Sequence, residues 1–149
     1  MLQGAARTPI RYQKGKDVPT IITGKTDRFN LSVVKDNFIN EACFGVDFSH
    51  WLVTVLDARG VGAFVMGMDK NGWENVLKYE GETWLLHISG ASDFDSARPN
   101  YGTWRLLLER QRSWWQKLMG SKNAAGDALG EKIAQILAGG RFEEVSIEA

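Results

Sequence analysis

Cysteine and histidine are scarce in this chain, and long apolar runs are missing. Cys43 is the single cysteine among 149 residues, so no intramolecular disulfide can form, which favours a reducing compartment. No apolar run approaches the roughly 20 residues that cross a membrane. Residues 1–16 contain no apolar segment of the kind that a secretory signal needs. We therefore expect a cytoplasmic protein without a membrane anchor.

Net charge is also absent, because 18 basic side chains balance 18 acidic ones. No global field therefore recruits nucleic acid or an acidic membrane. The basic residues concentrate in 1–28 and 104–122, whereas 29–103 are acidic. Those basic regions could face an acidic partner or the acidic middle of the same chain; we favour the second arrangement.

Motifs that identify common enzymes are missing as well. The chain has no Gly-x-Ser-x-Gly elbow, no phosphate-binding glycine loop before a helix, no Cys-x-x-Cys pair and no His-Glu-x-x-His. Cys43 and His50 could form a thiol nucleophile with its base, but a buried cysteine that packs as a small hydrophobe explains Cys43 better. We expect no cofactor, no metal site and no catalytic role.

The first 26 residues predict an N-terminal arm, and 27–149 predict one α+β domain. Residues 1–26 contain scattered glycine, proline and basic residues with one short apolar pair, which is typical of an extended or partly disordered segment. Alternation of apolar and polar residues over Phe29–Val34 predicts a strand. Residues 38–44 fit either a short helix or a second strand.

Residues 50–89 predict an antiparallel meander of four strands. Turn residues separate short β-branched and apolar runs, and short connections favour neighbouring antiparallel strands. The predicted strands cover 51–56, 61–68, 73–79 and 83–89. Phe29–Val34 would add a fifth strand.

Thr103–Met119 predicts a helix with one apolar stripe. At 100° per residue the stripe contains three tryptophans, so these side chains belong in the core: Trp104, Leu107, Leu108, Trp114, Trp115, Leu118 and Met119. Gln111 falls inside the stripe and Leu106 on the polar side. The N-terminal arm or a second chain would then cover Leu106, and Leu106→Asp would disturb self-association or partner binding while leaving the fold intact.

A second helix is predicted from Asn123 to about Ala138, where apolar residues share one face. Glycine at positions 126 and 130 could permit close approach to another element. Residues 141–149 alternate as a strand with a charged outer side, which is typical of a sheet edge. The predicted fold class is α+β: an antiparallel meander of about four or five strands, packed by two C-terminal helices and completed by a C-terminal edge strand.

The strongest candidate for chemistry is His87 with the loop that follows it, Gly90–Gly102. Asp93 and Asp95 could bind a cation or orient His87 as a general base. The alternative, which we favour, is that Ser92 or Asp95 caps a turn while His87 makes a tertiary hydrogen bond. Long loops in compact domains are often functional, so Ser92, Arg98 and Tyr101 are candidate binding residues.

Basic residues beside the tryptophans could bind a nucleic-acid strand. However, the helix places the tryptophans on the apolar stripe and the basic residues mostly off it, so we do not expect nucleic-acid binding. Arg105, Arg110, Arg112 and Leu106 are instead candidate contacts for a protein.

The function we expect is non-catalytic protein–protein interaction. Proteins of this kind include small inhibitors, immunity-type proteins, phage or mobile-element accessory proteins and assembly components. A homodimer is compatible with the sequence. A small enzyme or ligand- or metal-binding domain centred on His87, and a nucleic-acid binder, are the alternatives.

Overall fold

The computed structural model describes residues 19–111 and 124–148, without the side chains of 124–126. These residues form an antiparallel sheet with the order β2-β3-β4-β5-β1-β6, together with two helices. The elements in chain order are β1 (Thr20–Thr26), α1 (Val46–Ala58), β2 (Gly62–Asp69), β3 (Gly72–Tyr79), β4 (Glu82–Ser92), β5 (Gly102–Gln111), α2 (Ala124–Gly139) and β6 (Glu143–Glu148). The α+β class and the meander are confirmed.

The β2–β3–β4 meander follows the turn residues of the sequence. Glu80 and Gly81 join β3 to β4 with φ values of 51° and 76°, the positive values that a tight two-residue hairpin loop needs. The C-terminal strand is confirmed as well, because β6 lies at one edge of the sheet and pairs only with β1 among the described strands.

The predicted helix Thr103–Met119 is wrong over its described part, because residues 103–111 lie in β5 between β4 and β1. Trp104, Leu106 and Leu108 alternate inward with period two, while the intervening residues face the other way. The run of three leucines fits both periods, and pairing on both sides of β5 decides for the strand. Residues 112–119 lie outside the described part of the chain.

The predicted strand over 51–56 is also wrong, because these residues belong to α1. Phe48, Leu52 and Leu56 are buried at a spacing of four residues, with Trp51 and Val55 packed beside them. The helical period therefore extends beyond the β-branched run, which is a strand signal only when read alone. Gly45, with a φ of 130°, permits the turn into the helix.

Residues 29–34 are irregular rather than a strand. Asn30 Oδ1 accepts hydrogen bonds from the backbone amides of Ser32 and Val33, so these donors are satisfied locally instead of by a neighbouring strand. Residues 38–44 form turns and loop, so neither predicted element is present there. The missing strand is supplied by Thr20–Thr26, within the range predicted as an arm, which pairs with both β5 and β6.

Both helices pack against one face of the sheet and enclose an apolar core. Phe48, Trp104 and Phe29 lie at its centre, with ring centroids 4.8 to 6.4 Å apart. On α2 the predicted apolar face is confirmed at Leu129, Ile133, Ile136 and Leu137, which are buried. Gly130 approaches β1 so closely that an added Cβ would lie 3.1 Å from Thr20 Cγ2. Neither described helix is long and apolar enough to cross a membrane.

A buried polar contact ties α1 to the sheet. The Asn75 side-chain amide on β3 donates to Ser49 Oγ at 3.1 Å and to the Leu86 carbonyl at 3.2 Å, and the side chains of Asn75 and Ser49 are buried.

We expect Ser49→Ala to lower the free energy of unfolding by about 1 kcal/mol in urea denaturation, because Asn75 loses one acceptor. Thr54→Ala, on the exposed side of α1, is the control and should change it by less than about 0.5 kcal/mol. Equal effects of the two variants would contradict this role of the contact.

Candidate functional site

The loop 93–101, which joins β4 to β5, is anchored to the rest of the protein. Asn100 Oδ1 accepts hydrogen bonds from the Leu31 amide at 3.0 Å and from Ser32 Oγ at 2.7 Å. The Asp93 amide donates to the Tyr101 carbonyl across the base of the loop, and Lys25 Nζ lies 3.3 Å from the Asp93 carboxylate. The loop therefore presents its side chains from a fixed backbone.

Arg98 and Tyr101, two predicted binding residues, are internal anchors of this loop. The Arg98 guanidinium donates twice to Asp27 Oδ2 and stacks 4.0 Å from the centroid of the Tyr101 ring. The hydrogen bond to Asp27 raises the pKa of Arg98 above its ordinary value. Tyr101 donates its hydroxyl to Glu143 Oε1 at 2.7 Å, which connects the loop to β6.

The Tyr101–Glu143 hydrogen bond gives the loop a measurable titration. The bond to the carboxylate, with a smaller contribution from desolvation, raises the pKa of Tyr101 from 10.0 to about 12. Because the folded pKa exceeds the unfolded one, this contribution to stability is complete below about pH 10 and is lost as the pH rises through about 12. The difference in phenolate absorbance between the native protein and Tyr101→Phe should titrate near pH 12. Glu143→Gln should move that midpoint towards 10, and an unchanged midpoint would contradict the contact.

Phe94, near the start of the loop, is held in solvent. Its side chain is 91% exposed, and its backbone has a φ of 58°, an uncommon conformation for a residue other than glycine. Ser92 Oγ accepts a hydrogen bond from the Phe94 amide at 2.9 Å and fixes this turn. A large apolar side chain is therefore displayed at a cost in both hydration and backbone strain, which is a pattern found at functional sites.

Two shallow pockets of about 330 Å³ each flank Phe94, which lines both of them. We call the apolar part of this region the Phe94 surface and define it by five residues: Leu31, Val34, Phe44, Ala91 and Phe94. Val34 is half exposed. The pockets are also lined by the carboxylates Glu41 and Asp95, and no lysine or arginine of the described residues lines them. The Phe94 surface is thus apolar with an acidic rim.

His87 does not meet Asp93 or Asp95, so the predicted catalytic cluster is not formed. His87 Nδ1 lies 3.1 Å from Glu74 Oε2 on the neighbouring strand and 3.5 Å from Asp69 Oδ2. Asp93 pairs with Lys25, and Asp95 Oδ1 accepts a hydrogen bond from the Ala97 amide. The turn-capping alternative describes Ser92 and Asp95, and His87 makes the expected tertiary contact. Three described side chains could therefore hold a metal ion together: Asp69, Glu74 and His87.

The predicted contacts on the Trp segment are separated by the alternation of β5. Leu106 is 0% exposed in the core, and Gln111 is exposed at the end of the strand, so both placements predicted from a helix are wrong. Arg105 is exposed on the opposite face of the sheet from Leu106. Arg110 is buried over the Trp84 ring, with Nη1 3.9 Å from Glu82 Oε2. The three described contacts therefore share no exposed surface, and Arg112 lies outside the described residues.

The outer face of the sheet, opposite the helices, carries exposed apolar side chains as well. Phe64 and Met66 on β2 are 51% and 57% exposed. A register shift between Val65 and Gly67 interrupts β2 beside them. Such a bulge disfavours the addition of another strand at this edge of the sheet.

Cys43 is buried, and its thiol donates to the Asp69 carbonyl at 3.3 Å. His50 lies exposed on α1. The predicted burial of Cys43 is therefore confirmed.

Two important features were missed at the sequence level, although the sequence contains signals for both. Phe94 is the single apolar residue within a polar loop segment, Ser92–Ser96, and such isolation indicates display rather than packing. Glu74 lies opposite His87 because the Glu80–Gly81 turn pairs Tyr79 with Glu82 and so fixes the register.

Comparison of the chain with protein-family models, with curated proteins and with solved structures gives no match.

Proposed function

We propose that the protein is a non-catalytic protein-binding domain and that the Phe94 surface contacts its partner. The observation that carries the proposal is Phe94 itself, 91% exposed and held at a φ of 58° by an anchored loop between two pockets. Aromatic side chains contribute disproportionately to binding energy at protein interfaces. A fixed loop also loses little conformational entropy on binding, which favours affinity.

The charge of the surface defines the partner's chemistry. Glu41 and Asp95 line the pockets beside the apolar centre. A complementary partner presents an apolar side chain next to lysine or arginine, so that the charges attract while the apolar surfaces are buried. Roles of this class include a small inhibitor or immunity-type protein, a phage or mobile-element accessory protein and an assembly component. The lone reduced Cys43 supports a cytoplasmic location for that role.

Nucleic-acid binding through an arginine-rich helix flank loses its structural basis over the described residues. Arg105 and Arg110 lie on opposite faces of β5, and Arg110 is buried. The predicted flank therefore does not exist as one basic surface there.

Affinity capture from the native host tests the proposal when it compares matched variants. We expect the native protein to capture a partner that Phe94→Gly no longer captures. Phe64→Ala, which changes the outer face of the sheet, should still capture that partner. Sedimentation of the purified protein distinguishes a second copy of this chain as the partner, since Phe94→Gly would then dissociate the dimer. A partner lost with Phe64→Ala and kept with Phe94→Gly would place binding on the sheet and contradict the proposal.

A further inference from the structure

Three potential metal ligands converge on the outer face of the sheet, from three neighbouring strands. Asp69 ends β2, Glu74 lies on β3 and His87 on β4, directly opposite Glu74 in the strand register. One ligand atom from each residue lies within 4.8 Å of the others. None of these residues lines the pockets at Phe94, so this cluster is separate from the proposed partner-binding surface.

The distances suit a coordination shell. His87 Nδ1 lies 3.1 Å from Glu74 Oε2 and 3.5 Å from Asp69 Oδ2. For metal–ligand bonds of about 2.1 Å, two ligands of a tetrahedral ion are separated by about 3.4 Å. The third separation, between the carboxylates, is at most 4.8 Å and closes by a side-chain adjustment of Asp69, which is 44% exposed.

One atom of the cluster lacks a partner. Glu74 Oε1 is buried and has no hydrogen-bond partner among the described residues, an arrangement that costs free energy in a carboxylate. A protonated His87 could pair with both carboxylates, but that ion triad leaves Oε1 unsatisfied. A divalent cation between the three side chains offsets the charge of both carboxylates, and either oxygen of Glu74 can coordinate it.

The ligand set selects the class of ion. One imidazole nitrogen with two carboxylates suits zinc and related divalent transition metals, whereas magnesium and calcium favour oxygen ligands throughout. Asp69 is oriented for this role because its other oxygen, Oδ1, accepts a hydrogen bond from the Lys70 amide. We propose that Asp69, Glu74 and His87 bind one divalent transition-metal ion, with zinc as the reference ion and a coordination position open to solvent.

Calorimetric titration of the metal-stripped, full-length protein with Zn²⁺ tests the site. We expect one equivalent to bind, and a thermal shift that Mg²⁺ and Ca²⁺ do not reproduce at the same concentration. His87→Asn and Glu74→Gln should each weaken Zn²⁺ binding about ten-fold or more, since each removes a ligand. The controls are His50→Asn, which replaces an exposed histidine elsewhere, and Asp93→Asn, which replaces a carboxylate paired with Lys25; both should bind Zn²⁺ as the native protein does.

Spectroscopy of the Co²⁺ form reports the ligand geometry independently of affinity. Native protein should give the intense visible absorption of a four-coordinate cobalt ion, and His87→Asn should lose it. Should either strand variant fail to fold, Asp69→Asn at the exposed end of β2 replaces it. The proposal would be overturned if the native protein did not bind one equivalent of Zn²⁺, or if both His87→Asn and Glu74→Gln still bound it. Ion pairing among the three side chains would then explain why they lie together.

Discussion

Replacing Leu106 by aspartate is expected to unfold the protein. Leu106 is 0% exposed on β5 and lies opposite Ile22 on β1 and Ile88 on β4, which are both fully buried. An unpaired carboxylate at such a fully buried, apolar position costs several kcal/mol. Whole domains are stabilised by only about 5–15 kcal/mol, so Leu106→Asp should abolish the cooperative urea transition followed by tryptophan fluorescence.

Two further variants make the Leu106 result interpretable. Leu106→Ala leaves a cavity and should cost about 2–5 kcal/mol while still giving a measurable transition. Arg105→Ala, at the adjacent exposed position, should change stability by less than about 0.5 kcal/mol. If Leu106→Asp folds and unfolds at the native urea midpoint, the placement of Leu106 in β5 is contradicted. The helix predicted from the sequence, with Leu106 on its polar side, would then be supported.

Phe94→Gly is expected to separate binding from stability. Glycine adopts a φ of 58° without strain, so the substitution removes a backbone cost of about 1 kcal/mol and adds a similar amount of entropy to the unfolded chain. The net change in the free energy of unfolding should therefore be less than about 1 kcal/mol. Loss of an aromatic anchor from an interface typically costs about 2 kcal/mol or more, which corresponds to about 30-fold in affinity.

Surface plasmon resonance against the captured partner measures that affinity, and urea denaturation measures the stability of the same samples. Phe64→Ala is the matched control, because it also removes an exposed aromatic ring, but from β2 on the outer face of the sheet. Equal affinity of the native protein and Phe94→Gly would remove Phe94 from the interface. A large loss of stability in Phe94→Gly would instead give its ring a structural role.

The sequence predicted the elements whose signals are local. The turns within 69–72 and 80–82, the strands beside them, the apolar face of α2 and the charged edge strand are all present. Each depends on turn chemistry or on periodicity within a few residues. These features were sufficient for the fold class.

The errors arose where tertiary pairing decides between two periods. The leucine run of β5 fits a helix and a strand equally. Its partner β1 lies in a segment rich in glycine, proline and charge, which does not predict a strand. Without β1, the position of Leu106 between two buried isoleucines could not be derived. The β-branched run of α1 gave the opposite error, because its helical face begins at Phe48, before that run.

The sequence singled out the loop that carries Phe94, but not Phe94 itself. The loop after β4 was singled out for its length and composition, and it does form the displayed surface, but through Phe94 rather than through Asp93, Arg98 or Tyr101. Polar residues of this loop form contacts that hold it in place. Long-range partners such as Asp27 and Glu143 cannot be assigned from spacing in the chain.

The most direct measurement is quantitative affinity capture from the native host with the native protein, Phe94→Gly and Phe64→Ala compared side by side by mass spectrometry. Binding at the Phe94 surface predicts a protein that is captured by the native chain and by Phe64→Ala and is depleted at least ten-fold with Phe94→Gly. The same set of proteins captured by all three chains would contradict it.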